Sequence, residues 1–307
     1  MKYTLHQLQV FLQVKETQSI TKAAEELHLT QPAVSIQLKN LQDQFEVPLT
    51  ELVGRKLIVT DFGKEIANAA KKILDEVQAI NHKTMAYKGH LAGTLKISIV
   101  STGKYVMPYF LSGFLHRYKA IDLVMDVTNK AMVIKSLEDH EVDFSLVSIL
   151  PDHLALDKID LMQNKLFLVS NSSMNSPRKA LNKIEFEKLP LIYREAGSGT
   201  RQVMEKFLRK RNWKITKKME LTSNEAVKQA VLAGLGCSIM PLIGIRTELN
   251  AGKLKIIPVS GLPIESTWQL IWKKNKKFSP VAEAFLAYIR SEKNRIIEEE
   301  FQWSDNY

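Results

Sequence analysis

The chain has little with which to cross-link itself. It carries one cysteine, Cys237, among 307 residues. That excludes an internal disulfide and any cysteine-rich metal site, and the expected compartment is a reducing cytoplasm. Long apolar runs are also lacking. The longest uncharged stretch, between Lys228 and Arg246, carries Gln229, three glycines, Ser238 and Pro241, whereas a membrane span needs roughly 20 apolar residues. No membrane partner is expected. The opening MKYTLHQLQVFLQVKE is broken by His6, Gln7, Gln9 and Gln13, and no small-residue cleavage site follows. It does not read as a signal peptide. The seven histidines (His6, His28, His82, His90, His116, His140 and His153) form no HExxH and no close pair. No Ser/His/Asp arrangement is legible. The sequence therefore predicts no catalytic residues, no metal and no cofactor. What remains is an ordinary globular composition, 45% apolar and 25% charged, with a length that fits about two domains.

Charge must be read by position. The net charge is +10, from 43 basic and 33 acidic residues. Yet residues 1–60 hold six of each: Lys2, Lys15, Lys22, Lys39, Arg55 and Lys56 against Glu16, Glu25, Glu26, Asp43, Glu46 and Glu51. The surplus lies downstream, as in KFLRKRNWKITKK (206–218). Global basicity is no argument for nucleic-acid binding here; single side chains must carry it.

The first 90 residues read as helical with one hairpin. Leu5, Leu8 and Phe11/Leu12 recur at helical spacing. Ser19 and Thr21 are possible caps for a helix over TKAAEEL, and Thr30 caps a third with Pro32 in its first turn. Only His28–Leu29 separates those two helices, the signature of a helix-turn-helix. LTELVGRKLIVT folds back around Val53-Gly54-Arg55 as a small hairpin, or wing. A long helix then runs from Phe62 to about Lys88. Ile66, Ala69/Ala70, Ile73, Val77, Ile80 and Thr84 lie along it in steps of three and four. Such a stripe needs a cover. A second copy, through Ile66, Ala70, Ile73, Val77 and Ile80, is the expected one; packing on its own domain is the alternative. Beyond Gly93, strands LKISIV, LVMDV, DFSLVS, LFLVS, LIYRE, MELTS and CSIMP alternate with helices, which predicts βαβ units and a mostly parallel sheet in two similar halves.

The third helix carries the sharpest chemistry. Ala23-Ala24 permits a close helix crossing, while Leu27, Leu29, Val34, Leu38 and Leu41 face inward. Gln31, Ala33, Ser35, Ile36, Gln37, Lys39 and Asn40 face outward. Gln reads adenine, Ala or Ile meets a thymine methyl, and Ser donates to either, as a major groove requires. The amides of the first turn, around Thr30 and Pro32, suit a phosphate. The alternative is an ordinary surface helix.

These residues bring a resemblance into view. LHQLQVFLQVKETQSITKAAEELHLTQPAVSIQLKNLQDQFEVPL strongly resembles the LysR-type transcriptional regulators, with SITKAAEELHLTQPAVS the most specific element. The likeness covers nearly the whole chain, including GTLKISIV, DFSLV and GLGCSIMP. It implies an N-terminal all-α winged helix-turn-helix (1–60), a dimerising linker helix (61–90) and a C-terminal α/β two-lobed effector domain like a periplasmic solute-binding protein. Lobe I would be 91–162 with 267–307, and lobe II 163–266. It further implies promoter DNA as partner, dimers or tetramers, a small metabolite, and RNA polymerase as a further contact. The match departs at the wing, where Thr50 and Leu52 stand in place of the family's common Phe and Arg, and at Thr60-Asp61-Phe62-Gly63. Arg55 and Lys56 remain to reach a phosphate or the minor groove.

In the effector lobes, open α/β sheets bind ligands beyond the carboxyl ends of strands. Ser101-Thr102-Gly103, Asn129 and Ser148 sit there. In REAGSGTR (194–201), Ser198, Gly199, Thr200 and Arg201 offer close backbone approach, hydroxyls and a guanidinium fork for an oxyanion. Asn224 and Glu225 open the next helix. GSGTR lacks the ending of a nucleotide P-loop. STGKYVMP with REAGSGTR looks most like the Calvin-cycle operon regulator branch, which implies a small anionic effector. The alternative is plain turn chemistry. A two-lobed solute receptor, or an enzyme on the same scaffold, are the competing functions. Cys237, in apolar GLGCSIMP, is expected to be a small buried hydrophobe.

Overall fold

A computed structural model describes residues 2–53, 56–87, 91–174, 179–215 and 218–307. It divides into two compact units, Met1–His90 and Leu91–Tyr307.

In the first unit, α1 (Leu5–Thr17) starts at a capping box: Thr4 Oγ1 accepts from the Gln7 amide and Gln7 Oε1 accepts from the Thr4 amide. It ends where Gln18 turns left-handed, φ +49°. Ser19 then caps α2 (Ile20–Glu26), and His28, φ +54°, makes the turn into α3 (Gln31–Gln42). Thr30 Oγ1 accepts from the Ala33 amide, so the predicted cap is the actual one. The predicted inward residues Ala23, Ala24, Val34, Leu38 and Leu41 are buried together with Val10, Phe11 and Val14 of α1. β1 (Thr50–Val53) and β2 (Lys56–Val59) form the expected antiparallel hairpin. α4 (Asp61–Tyr87) follows. Its first turn presses so closely on the chain that a Cβ on Gly63 would lie 2.0 Å from the carbonyl oxygen of Leu49; only glycine fits.

In the second unit, β3 (Gly93–Val100), α5 (Met107–Arg117), β4 (Ile121–Thr128), α6 (Lys130–Glu138) and β5 (Phe144–Val147) build a parallel three-strand core in the order β4-β3-β5. β6 (Leu156–Asn171) is far longer than the 166–170 strand expected from the sequence. Its first half carries Asp157, Lys158 and Asp160, which mask the pattern. Then come α7 (Lys183–Glu187), β7 (Leu191–Arg194), α8 (Gly199–Lys210), β8 (Lys218–Leu221), α9 (Asn224–Leu232), β9 (Ser238–Pro241), α10 (Arg246–Asn250), β10 (Leu254–Ile256), β11 (Ile264–Lys273) and α11 (Pro280–Phe301). β7 and β8 pair in parallel, but β11 runs antiparallel to both β5 and β6, and β9 and β10 run antiparallel to β6. The sheet is mixed, not mostly parallel, because the chain re-enters the first lobe from the second along β11.

Burial follows two centres. Phe110, Phe114, Phe144, Trp268 and Phe285 are sealed around β3 and α11, while Phe186, Leu168, Tyr193 and Ile239 pack with Trp213 in the other lobe. The C-terminal EEEFQWSDNY ends α11 and continues in a short 3₁₀ turn seated on both lobes. Phe301 is 2% exposed and stacks on Phe110, with ring centroids 6.0 Å apart. Trp303 packs against the second lobe under the guanidinium of Arg246, and Lys165 of β6 donates to the carbonyls of Ser304 and Tyr307.

Candidate functional site

Two surfaces concentrate polar chemistry, one in each unit. On α3, Gln31, Pro32, Ile36, Lys39 and Asn40 are exposed and Ala33, Ser35 and Gln37 half-exposed. Ile36, at 56% exposure, is apolar on the solvent face. Thr30 spends its hydroxyl on the Ala33 amide, which leaves the other first-turn amides for a phosphate. On the hairpin, Leu52 is 71% exposed and stands where the sequence likeness led one to expect arginine. Arg55 lies outside the described residues, as does the side chain of Lys56.

The second surface lies between the lobes. An inner pocket of about 20 Å³ is lined by Ser101, Thr102, Asn129, Lys130 and Ser148 from the first lobe and by Arg194, Ser198, Gly199 and Thr200 from the second. That is room for one water. It opens beside a cavity of about 1320 Å³ bounded by α6, the 148–153 segment, α8 and the start of β11. The lobes are latched around the pocket. Arg194 Nη1 donates to Ser101 Oγ at 3.1 Å, Asn224 Nδ2 donates to the same oxygen at 2.7 Å, and the Ala131 amide donates to the Gly197 carbonyl at 3.2 Å. Gly197 has φ +87°, and a Cβ there would lie 3.1 Å from Ala131. Lys130 Nζ donates to Gln202 Oε1 at 3.0 Å.

Electrostatics set Lys130 apart. Burial pulls its pKa below the ordinary lysine value, and Asp152 opposes this only in part. Among the described residues no carboxylate comes within ion-pair distance of it. A half-buried ammonium held by one neutral amide is short of a counter-charge. No carboxylate lines the inner pocket among the described residues. The chemistry of this lining suits a small oxyanion, which at this volume must push the lining groups apart or extend into the adjoining cavity.

The comparisons meet this geometry directly. Residues 5–64 match the model of bacterial regulatory helix-turn-helix proteins of the lysR family, and residues 88–294 match the LysR substrate binding domain. The chain belongs to the LysR family. It is 37% identical, over 93% of this chain and 94% of the relative, to the HTH-type transcriptional activator CmpR of Synechocystis sp.. It is 35% identical to the RuBisCO operon transcriptional regulator of Allochromatium vinosum, over 96% and 98% of the two chains. Among solved structures, the Synechocystis PCC6803 CcmR regulatory domain in complex with 2-PG covers 66% of this chain and 97% of its own, at 28% identity and a TM-score of 0.60. The expected likeness to regulators of the Calvin-cycle branch and the two-lobed α/β domain thus hold.

Several expected site residues of this LysR protein stand elsewhere. Arg201 is not available as an anion fork: Glu205 takes Nε at 2.8 Å, Glu220 takes Nη1 at 2.8 Å, and Nη1 also donates to the Arg194 carbonyl. It lines the outer cavity only. Gly103 faces the core, where a Cβ would lie 2.9 Å from Leu146. Glu225 turns from the pocket toward Tyr105 and Lys228, and Asn224 reaches the pocket only through Ser101. Of the stripe on α4, Ala70 is 1% exposed and packs with Ile66 in the helix-turn-helix core, whereas Ile73 is 41% and Ile80 61% exposed. The stripe is thus one apolar face: its N-terminal part already has its cover inside the unit, and its continuation through Ile73 and Ile80 does not. Lys130 and Arg194 were missed. Each sits at a strand's carboxyl end, the signal that could have found them. Cys237 is 2% exposed with Sγ 3.6 Å from Met174 Sδ, and burial pushes its thiol up to about 11. Among the described residues no helix is long and apolar enough to cross a membrane.

Proposed function

We propose that this LysR protein is a metabolite-responsive transcriptional regulator and not an enzyme. α3 enters the major groove of promoter DNA, with Gln31, Ser35 and Gln37 reading base edges and Ile36 meeting thymine methyls. Arg55 and Lys56 anchor the flank. The near-neutral first 60 residues neutralise few phosphates, so one module binds weakly and pairing supplies the affinity. The stripe of exposed Ile73 and Ile80 with half-buried Val77 on α4 is the dimer seam, and half-sites lie about 34 Å apart or a multiple. Dimers pair into tetramers, and RNA polymerase is the partner an activator requires. A small oxyanion enters between the lobes, at Ser101, Thr102, Asn129, Lys130, Ser148, Ser198, Gly199 and Thr200, and shifts the balance of open and closed states, which alters oligomer shape.

The observation that carries the effector reading is Lys130: a half-buried ammonium, ringed by hydroxyls, without a carboxylate of its own. The 2-PG complex of the CcmR regulatory domain supports an anion of that kind. The test is a gel shift on DNA upstream of the chain's own gene, with and without 2-PG, together with calorimetric titration of 2-PG. We expect a footprint of regularly spaced half-sites whose pattern changes with the ligand. A protein that leaves this DNA and a genome-wide selected pool unbound overturns the regulator reading. Failure of 2-PG and of every other phosphorylated or carboxylated metabolite to bind overturns the effector reading.

A further inference from the structure

The hydroxyl of Ser101 has one hydrogen to place and one direction in which to place it. A serine hydroxyl offers two lone pairs and one hydrogen. Arg194 Nη1 fills one lone pair from 3.1 Å, and Asn224 Nδ2 fills the other from 2.7 Å. The hydrogen can then only be given away. No protein acceptor takes it among the described residues, and Ser101 lines the inner pocket. Neither donor is free to turn. Arg194 is 4% exposed, and its remaining edge is held by both carboxylate oxygens of Glu195, at 2.7 and 2.8 Å. Asn224 is 7% exposed in the first turn of α9.

The two donors and the acceptor come from different lobes. Ser101 follows β3, while Arg194 ends β7 and Asn224 opens α9. The hydroxyl is therefore committed only while the lobes are shut; apart, Ser101 turns freely. We infer that Arg194 and Asn224 are positioning residues that make Ser101 an obligate donor on lobe closure, so that the pocket selects ligands presenting an unprotonated oxyanion oxygen of the phosphate or sulfate kind over ligands presenting a hydroxyl or amide hydrogen there. This deepens the effector reading above and rests on it. The pocket's other groups agree. Thr102 is 5% exposed, lines the same space and has no hydrogen-bond partner among the described residues, and Lys130 brings the charge. Closure and ligand charge become one event, because an acceptor-only ligand gains a donor that the open state does not hold in place.

The ligand's own ionisation exposes the mechanism. The charged groups around the pocket and the cavity beside it are Arg194 and Glu195 at the end of β7, Lys130 and Glu138 on α6, Asp152 and His153 after β5, Arg201, Glu205, Lys206 and Lys210 on α8, Glu225 and Lys228 on α9, and Glu265 on β11. Titration among them acts on both anions and most strongly on the dianion, so Ser101→Ala, which keeps every one of these groups, isolates the part played by the hydroxyl. Sulfate stays fully ionised, whereas phosphate loses a proton between about pH 6 and about pH 8. The full chain is titrated calorimetrically with inorganic phosphate and with sulfate across that range. The phosphate-to-sulfate affinity ratio is expected to rise with pH. Asn224→Asp keeps the size but swaps the donor for an acceptor that consumes the Ser101 hydrogen. It should weaken sulfate at least tenfold and flatten or reverse the pH trend of the ratio. Ser101→Ala should flatten the trend as well, Ser101→Thr should restore it, and Asn224→Asp should change the ratio no further in the Ser101→Ala background. A wild-type ratio independent of pH, or an Asn224→Asp ratio equal to wild type, overturns the inference while the effector reading stands, since the anions still bind. The second result would mean that Asn224 presents its oxygen, not its nitrogen, to Ser101. Binding of neither anion nor 2-PG to the wild type overturns both.

Discussion

Two aspartates placed three residues apart on α4 should have opposite consequences. Ala70 is 1% exposed inside the helix-turn-helix core, whereas Ile73, less than one turn further along the same stripe, is 41% exposed. Ala70→Asp puts a carboxylate among Phe11, Val14 and Leu41 with no partner, and an uncompensated buried charge costs about 3–5 kcal/mol. A unit of 90 residues has a total stability of about 5–13 kcal/mol at typical values per residue. The variant should lose roughly a quarter or more of that, with the melting point of this unit falling by roughly 15–30 °C. Ile73 is already wet in the single chain, so Ile73→Asp should cost it no more than about 1 kcal/mol. Its effect falls on association instead. Scanning calorimetry follows the melting, and size-exclusion chromatography with light scattering follows the mass. Ala70→Asp should lower the first transition; Ile73→Asp should leave a folded monomer. Equal melting losses in the two variants, or a well-folded Ala70→Asp protein of halved mass, would refute the division of the stripe into a covered and an uncovered part.

Gly63→Ala gains helix propensity of about 1 kcal/mol, yet its Cβ would meet the Leu49 carbonyl oxygen at 2.0 Å. The backbone clash should win by about 1–3 kcal/mol, measured by urea denaturation; a neutral or stabilised variant would contradict it. Lys130→Met should weaken 2-PG binding at least tenfold through loss of a charged partner. Arg201→Ala, whose guanidinium is committed to Glu205 and Glu220, should change that affinity less than threefold, and calorimetry showing the reverse order would restore Arg201 as the anion receptor. Burial pushes the Cys237 thiol up to about 11 in the folded chain, from 9.0 for an exposed thiol. Folding therefore favours the protonated thiol: its contribution is fully present below about pH 9 and is lost as pH rises toward about 11, on the order of 2–3 kcal/mol. Cys237→Ala should remove that component of the alkaline slope in denaturant melts; an unchanged slope would show that the thiol does not report on folding.

The first unit was largely legible because its signals are local. Caps at Ser19 and Thr30, a two-residue turn and alternating hairpin residues need no distant partner to be read. The long strand β6 was half missed because its early residues alternate charge with apolar side chains on a partly wet face. The mixed sheet was missed because β11 returns across the lobes, and long-range pairing leaves no local trace. The strand-end rule points to Ser101, Thr102, Asn129 and Ser148, and the glycines of REAGSGTR to Ser198 and Thr200; all of them line the inner pocket. Lys130 and Arg194 also sit at strand ends, but in the sequence a lone lysine before AMVIKSLEDH is indistinguishable from one on a solvated face, and an arginine ending LIYR from one at a strand edge. Arg201 drew attention through its glycines, although Glu205 at i+4 already marked it as an internal helix pair.

The C-terminal segment gives the second unit a stiff spine. Phe301 is seated in one lobe, Trp303 in the other, and between them Lys165, midway along β6, grips the carbonyls of Ser304 and Tyr307. A wide clam-shell swing would tear all three moorings at once. Any opening that frees Ser101 from Arg194 and Asn224 must therefore either leave the Lys165 end of the domain in place or break these contacts as well.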